Sequence, residues 1–173
     1  MWYSLVGLVS SFMFSPITPG ETSFYTNGFL FNPPACEHKV LFPRFPQSIG
    51  VLAKDESTYS AQLHLPNTFM RADCKSESPE VHTKKSDWLE MKMTNHIESL
   101  GGNSLIILNY SVTDSSAKFS AQLFMENESV LLNGALFLGN DTLLTLTTIE
   151  RNRVRSHTDT NRFISSALIL KNL

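Results

Sequence analysis

The chain has 173 residues, of which 42% are hydrophobic and 17% are charged, and its 14 basic against 16 acidic side chains give a net charge of -2. A chain of this length can bury most of its apolar surface in one domain, so it needs no metal or array of disulfides to hold a core. The charge balance offers no general attraction to nucleic acid or to an anionic membrane surface. These figures exclude several classes of protein but identify no reaction.

The first 35 residues carry one formally charged side chain, Glu21, and they are mostly apolar from Trp2 to Ile17. This run is too short for a membrane-spanning helix, which needs about 20 residues, but it suits the apolar core of a secretory signal. Because no Lys or Arg precedes it and no A-x-A-like site follows it, a buried first strand or helix remains an alternative. The predicted division is a candidate signal or export segment at residues 1–20, a proline-rich lead-in at 21–35 and a single domain at 36–173.

Two cysteines, Cys36 and Cys74, lie 38 positions apart, too far for a C-x-x-C redox pair. In an oxidising compartment they would form one disulfide, which contributes about 3–4 kcal/mol in the chain-entropy model. Two alternatives stay open: two free buried thiols, and a metal site of Cys36, His38 and Cys74 that lacks a clear fourth ligand. With the apolar N-terminus, the pair predicts a periplasmic or secreted protein, and a cytoplasmic protein is the alternative.

The first half of the domain contains short extended segments that are interrupted by prolines. Residues 37–42 end in a β-favouring triplet before Pro43, and residues 58–65 alternate apolar with polar side chains, the pattern of a half-buried strand. Residues 69–74 follow the turn-forming pair Pro66-Asn67. The last two segments therefore predict a hairpin.

The polar run at residues 75–86 predicts a loop that leads into a helix. Asp87 is the candidate N-cap, with Glu90 three residues on. Apolar residues then recur at helical spacing: Leu89, Met93, Ile97 and Leu100. The pair Gly101-Gly102 predicts the end of the helix.

Four further strands are predicted, joined by connections of three to five residues. They are residues 105–112, 118–126, 130–138 and 142–149. Connections this short cannot cross over to a parallel neighbour, so they predict an antiparallel meander. The last strand is uncharged on both sides, which predicts cover on both faces of the sheet.

A second helix is predicted to begin at Thr158 or Asp159, both good N-cap residues. Its apolar face would carry Phe163, Ile164, Ala167 and Leu168. The predicted fold class is α+β: an antiparallel β-sheet with a C-terminal four-stranded meander and two helices packed on it.

The segment His38-Lys39-Val40-Leu41-Phe42-Pro43, together with segments 143–148 and 163–168, resembles the opening strand, last strand and closing helix of the PsbP-like superfamily. Ser165-Ser166 lies near the usual ending of that helix. The resemblance spans about residues 36–170 and implies a shared fold and action through the binding of other proteins. It carries over no catalytic set, and the cysteine pair is not a general feature of the superfamily, which leaves the subfamily open.

No motif for catalysis, a cofactor or a metal is present, so we predict none of these sites. The chain lacks a G-x-S-x-G turn, an H-E-x-x-H pair and a calcium loop. No fixed spacing ties a histidine to a serine or cysteine nucleophile. All five histidines are predicted to face solvent or to lie in loops: His38, His64, His82, His96 and His157.

Four of the 14 basic side chains fall within 12 positions near the C-terminus: Arg151, Arg153, Arg155 and Arg162. If the last strand extends past Glu150, the first three point the same way. Since arginine suits bidentate contact with carboxylates or phosphates, an acidic protein partner or a lipid headgroup could bind here. The alternative is a solvated strand end or loop, balanced by Glu150 and Asp159.

The functional prediction is a non-enzymatic protein-binding module, exported or envelope-associated, that neutralises or chaperones a secreted protein. The alternatives are a small hydrolase assembled from dispersed residues such as His64 or His82, and a structural envelope component tethered by residues 1–20. The predicted partner is another protein, an acidic one if the arginines make the contact. Neither nucleic acid binding nor a membrane span in the folded body is predicted.

Overall fold

Alternation of apolar and polar residues produces several strands of this chain. The structure is a computed structural model that describes residues 28–52, 55–101, 104–125, 128–151 and 157–169. Its strands are β1 (Phe29–Phe31), β2 (His38–Phe42), β3 (Ser48–Leu52), β4 (Asp55–Leu65), β5 (Thr68–Ser76), β6 (Leu105–Val112), β7 (Ser116–Met125), β8 (Glu128–Leu138), β9 (Thr142–Glu150) and β10 (Leu168–Ile169). Its helices are α1 (Lys85–Gly101) and α2 (His157–Ser165).

Seven strands form one antiparallel sheet in the order β3-β4-β5-β9-β8-β7-β6. The hairpin of β4 and β5 is confirmed, with Leu65 opposite Thr68 at its turn. Strands β6 to β9 pair in chain order, but β9 also pairs with β5 from Thr68–Glu150 to Ser76–Thr142. The predicted four-stranded meander is therefore only part of a larger antiparallel sheet.

A second sheet has three strands in the order β1-β2-β10. Two of these strands, β1 and β10, were not predicted, because three and two residues are too few to show a periodic pattern. The first lies within the predicted lead-in, so part of that segment is folded. The predicted export segment, residues 1–20, lies outside the described residues.

Both faces of β9 are covered, as its uncharged sequence predicted. On one face α1 packs Leu89, Met93 and Ile97 against β7 and β8. On the other face the three-stranded sheet and α2 cover Leu144 and Leu146. The two helices thus lie on opposite faces of the seven-stranded sheet.

Helix α1 begins earlier than predicted. The carbonyl of Lys84 accepts a hydrogen bond from the Trp88 N–H (3.0 Å), so Asp87 lies inside the first turn and is not the N-cap. The carboxylate remains favourable there because the amino end of a helix attracts negative charge. The apolar spacing identified the helix correctly, while its exposed first turn carries no apolar signal to mark the start.

Helix α2 ends earlier than predicted. It covers His157–Ser165, and Leu168–Ile169 form β10 beside β2 instead of a further helical turn. Ser166 explains the break: its hydroxyl donates to the carbonyl of Phe163 (2.8 Å) and accepts the N–H of Leu41 (2.9 Å). A contact with β2, remote in sequence, therefore stops the helix.

Candidate protein-binding surfaces

The histidines whose side chains are described form no catalytic arrangement. His64 and His82 are exposed, as predicted, and His96 is half-buried on α1. The prediction for His38 was wrong: its side chain is 1% exposed, because it lies on the buried face of β2 together with Val40 and Phe42. The side chain of His157 lies outside the described residues. The ring of His96 is hydrogen-bonded to the Thr147 hydroxyl (2.9 Å), and no other described hydrogen bond joins a histidine ring to a hydroxyl or a thiol.

Cys36 and Cys74 form a disulfide with their Cα atoms 6.2 Å apart, which confirms the prediction. The bond ties the segment before β2 to strand β5, and both residues are buried. The alternative metal site with His38 is excluded, since bonded cysteines supply no thiolates. Within the described ranges, no three His, Cys, Asp or Glu side chains are grouped to hold a metal ion.

Glu37, beside the disulfide, holds the turn between β8 and β9. Its carboxylate accepts hydrogen bonds from the Asp141 N–H (3.1 Å), the Thr142 hydroxyl (3.0 Å) and the Asn140 side-chain amide (2.9 Å). Partial burial acts to raise the pKa of Glu37, but hydrogen bonds from Asp141, Thr142 and Asn140 together hold it below its ordinary value of 4.5. The ionised carboxylate therefore stabilises the folded state.

Glu37→Gln is expected to lower the free energy of unfolding by about 1 kcal/mol at pH 7. The NH2 group of the glutamine side chain is a donor, and it would face groups that themselves donate to the wild-type carboxylate. Solvent screens part of this loss. The difference in stability between variant and wild type should shrink as the pH falls from 4.5 through the lowered pKa of Glu37. In that range the wild-type carboxylate becomes protonated and loses its advantage over the amide. Urea unfolding of variant and wild type at pH 7 and at a pH below 4.5 measures the two differences. Glu90→Gln, on the exposed side of α1, is the matched control; equal effects of the two variants would contradict the assignment.

His38 is a buried titratable group without a described hydrogen-bond partner on either ring nitrogen. Its ring lies 6.3 Å from that of Phe137, between centroids. Burial lowers the pKa of His38 below 6.5, although the nearby charge of Glu37 opposes the shift. The folded protein therefore binds a proton at this imidazole less readily than the unfolded chain does.

Stability is expected to fall as the pH drops below 6.5, where the unfolded chain takes up the His38 proton before the folded protein does. His38→Phe should reduce this slope by at most about 1.4 kcal/mol per pH unit, the limit for one proton. His96, whose pKa is also lowered by burial, will keep part of the slope. Urea unfolding between pH 7.5 and about 5 tests this, and identical slopes for variant and wild type would contradict it.

Two of the four predicted binding arginines are described. Arg151 follows β9 and Arg162 lies on α2, and both are exposed. Arg153 and Arg155 lie outside the described residues. Strand β9 ends at Glu150, so the described residues contain no extension that would align three arginines. Partner binding by these arginines stays a prediction.

Strand β6 is an edge of the seven-stranded sheet and is uncharged along its whole length. It pairs with β7, and no other described strand lies beside it. Four of its large side chains are 48% to 57% exposed, and a neighbour on β7 is 47% exposed. These side chains are Ile106, Ile107, Leu108, Tyr110 and Phe124, and we call them the β6 surface.

The β6 surface presents apolar groups on both faces of the sheet edge. Ile107 and Tyr110 lie on the α1 side, opposite Ala121 and Phe119, while Ile106 lies on the other side, opposite Gln122. The register with β7 skips Leu108, which marks a β-bulge. The sequence predicted this strand but not its place at an edge; its eight uncharged residues were the only available signal.

The opposite edge, β3, is a smaller candidate. It has five residues against eight in β6. Ile49 and Val51 are exposed, but they point to the same face because they are two residues apart. Short edge strands offer little backbone to a partner, so β3 is the weaker surface.

An open groove of about 430 Å³ lies between α2 and strands β6, β7 and β8. Its polar lining includes the side chains of Asn109, Ser120, Asn133 and Asn161. The Ser120 hydroxyl donates to the side-chain oxygen of Asn133 (2.6 Å), so part of this lining is already hydrogen-bonded. The groove contains no described pair of acid and base that could act on a substrate.

No helix in the described ranges is both long enough and apolar enough to span a membrane. The longest, α1, carries charged residues on its exposed side, including Glu90 and Glu98.

No family model and no curated protein matches the chain. Among solved structures, the Ran-binding protein Mog1p of Saccharomyces cerevisiae matches with a TM-score of 0.51 and 7% identity, covering 83% of this chain and 96% of that chain. A mutant form of Mog1 gives a TM-score of 0.50 at the same identity and coverage. A protein of unknown function from Pseudomonas aeruginosa, PA94, reaches only 0.39 with 10% identity, over 72% of this chain and 83% of that one.

The match to Mog1p extends over nearly the whole of that protein, but 7% identity is evidence of the fold alone. The structure itself confirms the predicted α+β class and antiparallel pairing. The wider PsbP-like assignment stays a prediction. This chain therefore has a Mog1-like α+β fold.

Proposed function

We propose that this protein is a non-enzymatic protein-binding module whose partner binds at the β6 surface. The observation that carries the proposal is an uncharged edge strand with four large apolar side chains about half exposed. An edge strand offers unpaired backbone groups that an added strand can satisfy. Exposed apolar side chains also gain free energy when a partner covers them.

The fold comparison supports the same function. Mog1p is named as a Ran-binding protein, so a protein of this fold can act by binding another protein. Fold alone does not determine function, and the support from the β6 surface is independent of it. The PsbP-like assignment belongs to the same proposal, since that superfamily acts chiefly by protein binding.

An acidic segment of the partner is a finer part of the proposal. One row of paired residues crosses the sheet from β6 to β9: Ile106, Gln122, Leu131 and Glu150. Arg151 follows Glu150 directly in the chain. Three strand spacings put Arg151 about 14 Å from β6 along this row. One partner could thus cover the apolar edge and reach the arginine.

The test is affinity capture from the native cell with the full chain as bait. The double variant Ile107→Lys/Leu108→Lys places charges on the β6 surface and should lose the bound protein. Ile49→Lys/Val51→Lys, at the opposite edge, is the matched control and should retain it. Capture that is equal with both variants would refute the β6 surface as the binding site.

The arginines need a separate experiment. Replacing Arg151, Arg153 and Arg155 by serine should weaken binding of the captured protein more at low salt than at high salt, because salt screens exposed charges. Unchanged binding at low salt would remove the acidic segment from the proposal and leave the β6 surface in it.

We also propose export, with a role in neutralising or chaperoning a secreted protein. The disulfide supports an oxidising compartment, and the apolar residues 1–20 support a secretory signal. Mass spectrometry of the N-terminus of the native protein distinguishes the cases. A chain that begins near residue 20 indicates a cleaved signal, whereas one that begins at Met1 would contradict cleavage and favour the tethered envelope component.

A further inference from the structure

We propose that the β6 surface binds the β6 surface of a second copy of this chain when no other protein occupies it. The inference rests on the proposed function, because it names a partner for the same surface. Two copies would meet edge to edge in an antiparallel pair about a two-fold axis, the commonest symmetry of protein dimers. The dimer would cover the apolar side chains that each monomer exposes.

The charge pattern permits self-pairing in any register. Residues Leu105–Val112 contain no charged side chain, so no like charges can face each other across the two-fold axis. Proteins avoid edge-to-edge contact by placing charges, especially lysine, or proline or β-bulges on their edge strands. Strand β6 has no charge and no proline, and of these devices it has only the bulge at Leu108.

The exposed area is sufficient for a dimer. Aromatic side chains bury roughly 150–250 Å² each and Ile and Leu somewhat less, so the five half-exposed side chains of the β6 surface provide at most about 500 Å² in each copy. Full cover of these side chains in both copies would bury about 1,000 Å², the lower bound for a specific interface. Backbone groups along the edge add to this area.

The bulge at Leu108 limits the backbone hydrogen bonds that two paired β6 strands could form. It interrupts a regular ladder, so most of the binding free energy must come from side chains rather than from backbone hydrogen bonds. Leu108 is also at the middle of the strand, so any register that buries the whole β6 surface keeps the two copies of Leu108 near the axis. A charge at this position will therefore face its own copy.

The experiment uses the full oxidised chain. Because Asn109-Tyr110-Ser111 matches the N-x-[ST] glycosylation sequon, intact mass first confirms that Asn109 is unmodified. Sedimentation over a wide range of concentration should give a species of twice the monomer mass. Leu108→Lys and Leu108→Glu should each remain monomeric, while an equimolar mixture should restore the double mass, because opposite charges then meet at the axis. Ile49→Lys is the matched control and should dimerise as the wild type does. Circular dichroism verifies that each variant is folded.

Each outcome decides the inference. Restoration of the dimer by the mixture supports it, since a variant that failed to fold would not be rescued. A wild-type monomer at every concentration overturns it, whether the β6 surface is bare or covered by residues 1–27 of the same chain. A dimer that survives the Leu108 variants but is lost in Ile49→Lys also overturns it. A monomer that still captures another protein through the β6 surface would leave the proposed function intact.

Discussion

Replacing Phe163 by alanine is expected to lower the free energy of unfolding by about 3–5 kcal/mol, the usual cost of removing a buried phenylalanine ring. Phe163 is fully buried, and its ring centroid lies 4.7 Å from that of Phe42 on β2. It belongs to the cluster that joins α2 to Leu144 and Leu146 of β9. Because α2 has only nine residues, it depends on this packing more than on its intrinsic helix propensity.

Phe45→Ala is the matched control for this variant. Phe45 undergoes the same chemical change, but its side chain is 70% exposed, and its ring packs edge to face against Phe29 with centroids 4.7 Å apart. We expect this control to cost less than about 1 kcal/mol. Urea unfolding of both variants measures the difference, and equal losses would mean that α2 does not dock through Phe163.

The sequence predicted the elements whose signals are local. The alternation in residues 58–65 and the turn at Pro66-Asn67 specified the hairpin of β4 and β5. The apolar spacing of α1 identified the helix, although its start was wrong. These patterns succeed because an amphipathic strand or helix is determined by residues two to four positions apart.

The elements that the sequence did not predict depend on distant contacts. Residues Leu168–Ile169 follow a helical pattern, but β2 offers them a sheet edge and Ser166 ends the helix against Leu41. The pairing of β9 with β5 joins segments about 70 residues apart, and no local pattern encodes which strands become neighbours. Pairing of this kind depends on the whole fold.

The candidate site was predicted only in part. The clustering of basic residues predicted the arginines as a binding site, and two of them, Arg151 and Arg162, are described and exposed. The β6 surface was missed because an apolar strand such as Leu105–Val112 is as compatible with the centre of a sheet as with its edge. Burial on β9 and exposure on β6 follow from strand order, which the sequence does not reveal.

Loss of the disulfide between Cys36 and Cys74 is expected to lower the free energy of unfolding by about 3–4 kcal/mol, because the bond closes a loop with a sequence separation of 38 and so restricts the unfolded chain. That is a large part of the 5–15 kcal/mol of a typical domain. The double variant Cys36→Ala/Cys74→Ala should therefore unfold at a much lower urea concentration than the oxidised wild type.

Reductant provides the internal control, because it should lower the urea midpoint of the wild type towards that of the double variant and leave the variant unchanged. A shift in both proteins would show that the reductant acts elsewhere. If thiol labelling shows full reduction but the wild-type midpoint does not move, the bond does not contribute to stability. A contribution of about 3–4 kcal/mol would link folding to the compartment, since a reducing cytosol removes such bonds, and the thiol state of the native protein would then test the proposal of export.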